Sequence, residues 1–179
     1  NLGFGTVLTH SRDGIVRGTG AVVTLDRGKE NRALLKADAT AHFSFKKGVS
    51  SQRYPTSLMG AIALLRQTYY DAQWYAGTQS PEEYNLSLKS FLKHQHIRHI
   101  FSVRDYQAVM RADKIGDEFG KQYIFKGNGD EYQAIDLIKN TGASFIIPLN
   151  FPDAFDVNDP LDAQFISFTA LKHWEYAAS

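Results

Sequence analysis

The 179-residue chain has no cysteine, only five prolines and two methionines, and a formal net charge of +1. Without cysteine there are no disulfides and no thiolate metal sites, although that absence leaves the cellular compartment open. The balance of 20 basic against 19 acidic residues removes the global positive field expected of a nucleic-acid binder or of a protein held on an anionic membrane surface. No apolar run approaches the about 18 residues that a spanning helix needs. What remains, 43% hydrophobic and 22% charged, is the composition of a globular domain long enough to enclose one core. The chain starts at Asn1 with neither an initiator methionine nor a signal-peptide pattern. It therefore reads as a segment of something longer, and its localisation is not legible.

The apolar pattern reads as one α/β unit, mostly parallel. β-rich runs cover Phe4 to His10 and Ala21 to Leu25, with a weaker one from Arg32 to Lys36. The glycine-rich stretch Gly14 to Gly20 reads as a loop. Pro55 suits the first turn of a long helix whose stripe is Leu58, Ile62, Leu65, Tyr69, Ala72 and Ala76, ending at Gly77. Ser80 and Glu83 have the spacing of a capping box, which starts a second helix running to about Lys93. From Arg98 to Asn150 a strand-then-helix unit occurs twice. The strands are Ile97 to Val103, Tyr123 to Phe125 and Ser144 to Leu149, and a helix with stripe Ala108, Ala112, Ile115 and Phe119 stops at Gly120. The second helix starts near Asp130 and Glu131. The aspartate-rich run from Phe151 to Pro160 reads as loop, and Phe165 to Tyr176 as a further helix.

In parallel α/β folds, ligands bind at the carboxyl ends of the strands. Those ends carry Arg104, Lys126 and Asn150, and His10 closes the first β run; these four are the candidate pocket residues. Each has a structural alternative. Lys126 could orient an anion or act as a base, or it could pair with Asp130 or Asp153. His94-Gln95-His96 has the spacing of a metal motif but precedes its strand, so with His99 it reads as a solvated helix end. Gly127-Asn128-Gly129 lies where a phosphate loop would, yet Tyr132 occupies the third fingerprint position and Asp130 and Glu131 would repel a phosphate, so a tight turn is the better reading. Tyr69, Tyr70, Trp74 and Tyr75 show helical core spacing, without the basic stripe that base stacking would need.

Three runs carry a family resemblance: Tyr54 to Arg66 (YPTSLMGAIALLR), Arg111 to Gly120 (RADKIGDEFG) followed by Tyr123 to Tyr132 (YIFKGNGDEY), and the opening Gly3 to Val7 (GFGTV). Together they resemble the imidazolonepropionase-like branch of the amidohydrolase superfamily. The resemblance implies a parallel sheet with helices, part of a (β/α)8 TIM barrel. Residues 1–179 would be a single α/β segment of that larger barrel. It implies a full-length parent that hydrolyses C–N bonds of amides or cyclic amides with a divalent metal (Zn, Fe or Mn). The paired metal histidines would precede Asn1, and the catalytic aspartate would lie beyond Ser179. The position of the bridging lysine falls near Ala41-His42-Phe43, which leaves His42 as the metal-ligand candidate. Later histidine positions fall at Phe101 or Ser102 and at Lys126. Two outcomes follow: an amide hydrolase whose metal ligands lie mostly outside this segment, or a degenerate barrel kept for ligand binding or assembly. A doubly wound nucleotide-binding domain is a third reading, and Gly14 to Gly20 lacks the spacing it needs. The expected partners are a small amide substrate and either the rest of the parent or a second copy, with no nucleic acid and no membrane span.

Overall fold

An antiparallel half and a parallel half make up the sheet. A computed structural model gives the structure of the protein and describes residues 4–25, 30–77, 84–148, 168 and 171. Its strands are β1 (Thr6–Thr9), β2 (Val16–Thr24), β3 (Leu34–Ser44), β4 (Arg98–Ser102), β5 (Tyr123–Lys126) and β6 (Ser144–Ile146). They lie side by side in chain order; β1, β2 and β3 pair antiparallel, and β3 to β6 pair parallel. The sheet is thus less parallel than the sequence suggests, because the first three strands follow each other through short connections that cannot hold a crossover.

Two further departures have local causes. The stretch expected to be a loop from Gly14 to Gly20 runs into β2. Gly18 sits at φ +74°, and the register against β3 shifts between Val16 and Thr19, so these glycines mark a bulged strand rather than a loop. The weak third run, Arg32 to Lys36, is split: Arg32 and Ala33 end the short helix α1 (Glu30–Ala33), and Leu34 to Lys36 open the eleven-residue β3, which runs on well past the expected strand. Small residues at Ala37, Ala39 and Ala41 hide this continuation in the sequence, and pairing on both sides supplies what propensity does not.

The helices are α2 (Leu58–Gly77), α3 (Leu86–Lys93), α4 (Tyr106–Phe119) and α5 (Ile135–Asn140), the last preceded by a 3-10 turn at Glu131–Ala134. Pro55 lies before α2, not in its first turn. Ser57 caps the helix instead, its Oγ accepting from Gly60 N–H at 3.1 Å. Asn85 caps α3 through Leu88 N–H at 3.0 Å, while Ser80 and Glu83, the expected capping box, lie outside the described residues. Asp105 caps α4 through Ala108 N–H at 2.7 Å, and Gly120 ends it in the left-handed conformation at φ +64°. Of the helix expected from Phe165 to Tyr176, only Phe168 and Leu171 lie among the described residues, and both are helical.

Register organises the core. Phe43, Phe101, Phe125 and Phe145 are direct partners across β3, β4, β5 and β6, forming one aromatic row transverse to the strands. The first three are fully buried and share a core with Leu65 and Tyr69 of α2 and Val109, Ala112 and Ile115 of α4. Side chains alternate along a strand, so His42, Ser44, Ser102 and Lys126 project from the face opposite that row. One face of the parallel half builds the core, and the other is free to line a site.

Candidate functional site

On that second face, Ser44, Ser102 and Lys126 are register partners at the carboxyl ends of β3, β4 and β5. His42 lies two residues below Ser44, and its ring is buried at 3% exposure. Thr40 Oγ1 and His42 Nε2 are 2.8 Å apart, whereas His42 Nδ1 is buried without a hydrogen-bond partner among the described residues. His10 stacks on His42, with ring centroids 3.7 Å apart and planes 8° from parallel, and its Nδ1 donates to Ser11 O at 2.6 Å. Space for this arrangement depends on Gly20, where a Cβ would come within 2.6 Å of His42 Nε2.

The imidazoles are held neutral. Burial is the main force that lowers His42, to about 4, and His10, Arg17 and Lys126 add positive charge nearby. Burial likewise lowers His10, partly offset by its bond to Ser11. Lys126 forms no ion pair among the described residues; Asp130 is not its partner, and Asp153 lies outside them.

Among the described residues, the donor set does not suit a divalent metal. Ser102 and Lys126 stand at the β4 and β5 strand ends, and His42 offers one free nitrogen in a field of cationic neighbours. Among the described residues no cluster of three histidines or carboxylates is placed to hold an ion. No set of three such ligands gathers around His42 among the described residues.

The other sequence candidates separate. Arg104 is exposed and lines a cavity of about 790 Å³ beside the strand ends; Ser44 and Ser102 line it too. Asn150 lies outside the described residues. The Gly127-Asn128-Gly129 turn is closed by Glu131, whose carboxylate accepts from Asn128 N–H at 2.8 Å and Gly129 N–H at 2.9 Å. The amides a phosphate would need are thus already occupied. Of the amino-end histidines, His94 ends α3 with Nε2 3.2 Å from Asp38 Oδ2. Thr19 Oγ1 donates to Asp38 at 2.7 Å and, together with His94, holds its carboxyl below the usual range. His99 is not part of a solvated end: it is buried against Phe43, and its Nε2 donates to His94 O at 3.3 Å. In the tyrosine cluster, Tyr69 is buried against Tyr123, while Tyr70 donates to Glu118 at 2.7 Å.

Arg12, Arg17, Lys46 and Lys47 also converge on the cavity, and sequence reasoning did not single them out. One signal was present: Lys46-Lys47-Gly48 sets two adjacent cations before a turn glycine. The pairing of that loop with Arg12 and Arg17 comes from the antiparallel half of the sheet. There Asp13 bridges Gly48, and Arg17 Nη2 donates to Lys46 O at 3.0 Å.

This arrangement defines a mixed α/β chain with a lined face at the carboxyl ends of its parallel strands. Among solved structures it resembles an amidohydrolase from Thermotoga maritima MSB8, with a TM-score of 0.67 and 12% sequence identity. The match covers 96% of this chain and 48% of that one, so the chain spans about half the length of the structure it matches. No protein-family model and no curated protein matches the sequence. The likeness is one of fold.

Proposed function

We propose that the chain is part of an amidohydrolase-like (β/α)8 barrel whose full-length parent hydrolyses C–N bonds of amides or cyclic amides. In this reading the segment supplies pocket wall, and metal ligands come from outside the described residues. One observation carries it: a fold likeness spanning 96% of the chain, with polar side chains on the strand face where such barrels bind substrate. Ser102 offers a hydroxyl to a substrate, and Lys126 offers a cation free of described carboxylates, whereas the buried Ser44 hydroxyl donates to Ser102 O at 3.1 Å and accepts from Lys46 N–H at 3.2 Å. His10 Nε2 remains as an acceptor once Nδ1 is committed to Ser11. The cationic surroundings of His42 favour a second reading, a barrel that has kept binding and lost metal hydrolysis.

Elemental analysis of the intact parent, purified without chelators, tests the pair of readings. About one or two Zn, Fe or Mn ions per chain, with turnover of cyclic amides or dipeptides, is the result expected of the hydrolase. A metal-free parent that stays inactive after reconstitution overturns that reading in favour of the binding one.

A further inference from the structure

The protein as a whole is almost neutral, yet its charge is not evenly spread. Arg12, Arg17, Lys46, Lys47, Arg104 and Arg111 all line the cavity of about 790 Å³ between the loops that follow β3 and β4. Asp105 is the one carboxylate among the described lining residues, and its Oδ1 is engaged in capping α4 through Ala108 N–H. None of the six cations forms an ion pair among the described residues. Six of the 20 basic side chains thus gather without acidic partners, in a chain that carries 19 acids.

Part of this charge is fixed in place. Arg17 is half-buried and tied to the backbone twice, Nε donating to Gly14 O at 3.2 Å and Nη2 to Lys46 O at 3.0 Å. Lys47 Nζ donates to Gln52 O at 2.6 Å. Arg12 stands close enough to Arg17 for the two guanidinium charges to act on each other. Holding like charges together beside a concave surface costs free energy that an anionic ligand would offset. Guanidinium groups match the two-oxygen geometry of phosphate and carboxylate, and the cavity falls in the range of about 300–1,000 Å³ typical of small-molecule sites.

We propose that this cavity binds a small molecule carrying two or more phosphate or carboxylate groups. The ligand lies across the carboxyl ends of β3 and β4, between Arg12 and Arg17 on one side and Arg104 and Arg111 on the other, with the hydroxyl of Ser102 on the cavity wall. The inference goes beyond C–N hydrolysis and stands whether or not the parent turns over an amide.

Calorimetric titration of the intact protein at low ionic strength tests it, with inorganic pyrophosphate and citrate as probes and acetate as the singly charged control. Saturable binding of pyrophosphate or citrate, stronger than acetate and weakened by added salt, is expected. Preference for pyrophosphate assigns phosphate groups, and preference for citrate assigns carboxylates. The double substitution Arg12→Gln with Arg104→Gln removes two cations that hold no described hydrogen bond, and should weaken binding at least about tenfold. Arg66→Gln, at an exposed ion pair with Glu118 away from the cavity, should leave affinity unchanged. If circular dichroism shows the double variant unfolded, Lys46→Gln carries the same expectation. No saturable binding of either probe, or equal affinity in the cavity variants and the wild type, overturns the proposal. Because the titration reads binding alone, its failure is distinct from a failure to find hydrolysis.

Discussion

His10 and His42 lie face to face, 3.7 Å between ring centroids and 8° from parallel, one ring at the end of β1 and the other buried on β3. Stacking joins the antiparallel half of the sheet to the parallel half at the level of the strand ends. It also excludes water from the His42 ring, which stays neutral where an exposed histidine would begin to charge.

That neutrality sets a pH dependence. The unfolded chain takes up the proton near the ordinary histidine value of about 6.5, and the folded chain only near about 4. A lowered histidine pKa means that protons favour the unfolded state. Its stabilising contribution is complete above about pH 6.5 and declines as pH falls toward 4, by up to about 3 kcal/mol. His42→Leu should flatten this part of the profile in urea unfolding between pH 7 and 4.5. Identical profiles for the two proteins would refute the assignment.

Gly20 is the spacer beneath that ring. A Cβ there would stand 2.6 Å from His42 Nε2 and 3.0 Å from Thr9 O, and the second contact is backbone that cannot swing aside. Gly20→Ala should destabilise by roughly 1–3 kcal/mol in chemical unfolding. An unchanged midpoint would show that β1 can move away freely.

Tyr69 of α2 and Tyr123 of β5 share a buried hydrogen bond of 2.8 Å. Burial pushes the Tyr69 hydroxyl up to about 12 and raises that of Tyr123 as well, so both stay protonated. Tyr69→Phe or Tyr123→Phe alone leaves a buried hydroxyl without its partner and should cost about 1–3 kcal/mol. The double variant should cost less than the sum of the singles, and additive costs would show that the hydroxyls find other partners.

Asp105 serves two roles that substitution can separate. Asp105→Ala removes the α4 cap and should cost about 1 kcal/mol in thermal unfolding. Asp105→Asn keeps a capping oxygen but takes the one described carboxylate from the cavity lining, so pyrophosphate or citrate should bind about threefold more tightly. Weaker binding in the Asn variant would mean that the carboxylate helps the ligand.

Residues 1–179 studied alone should self-associate. β1 and β6 are the sheet's edges among the described residues, and Leu8, Ile146 and Ile147 are exposed there. Light scattering after size exclusion should give a dimer or larger species, and a clean monomer would count against edge pairing.

Local signals carried much of the fold. Stripe and stop glycine place α4 within a residue or two, and apolar runs place β4 and β5, because burial against the sheet enforces the same periodicity that the sequence displays. The later part of β3, beyond Lys36, escaped because its small and polar residues gain their burial from neighbours far away in the chain. His10 and Lys126 were legible as strand-end residues. The contact of His10 with His42 was not, since it rests on Gly20 in a third strand, and the cation cluster was not because three loops, strand β2 and helix α4 all contribute to it.

The transverse row of Phe43, Phe101, Phe125 and Phe145 separates two kinds of change. A one-residue slip of any of these strands would throw its ring onto the lined face and a polar side chain into the core, so the register is locked by four aromatic teeth. With that lock in place, Ser102 and Lys126 can be exchanged for other side chains without repacking the rings behind them. New ligand preferences can therefore be explored on one surface of the sheet while the scaffold beneath stays the same.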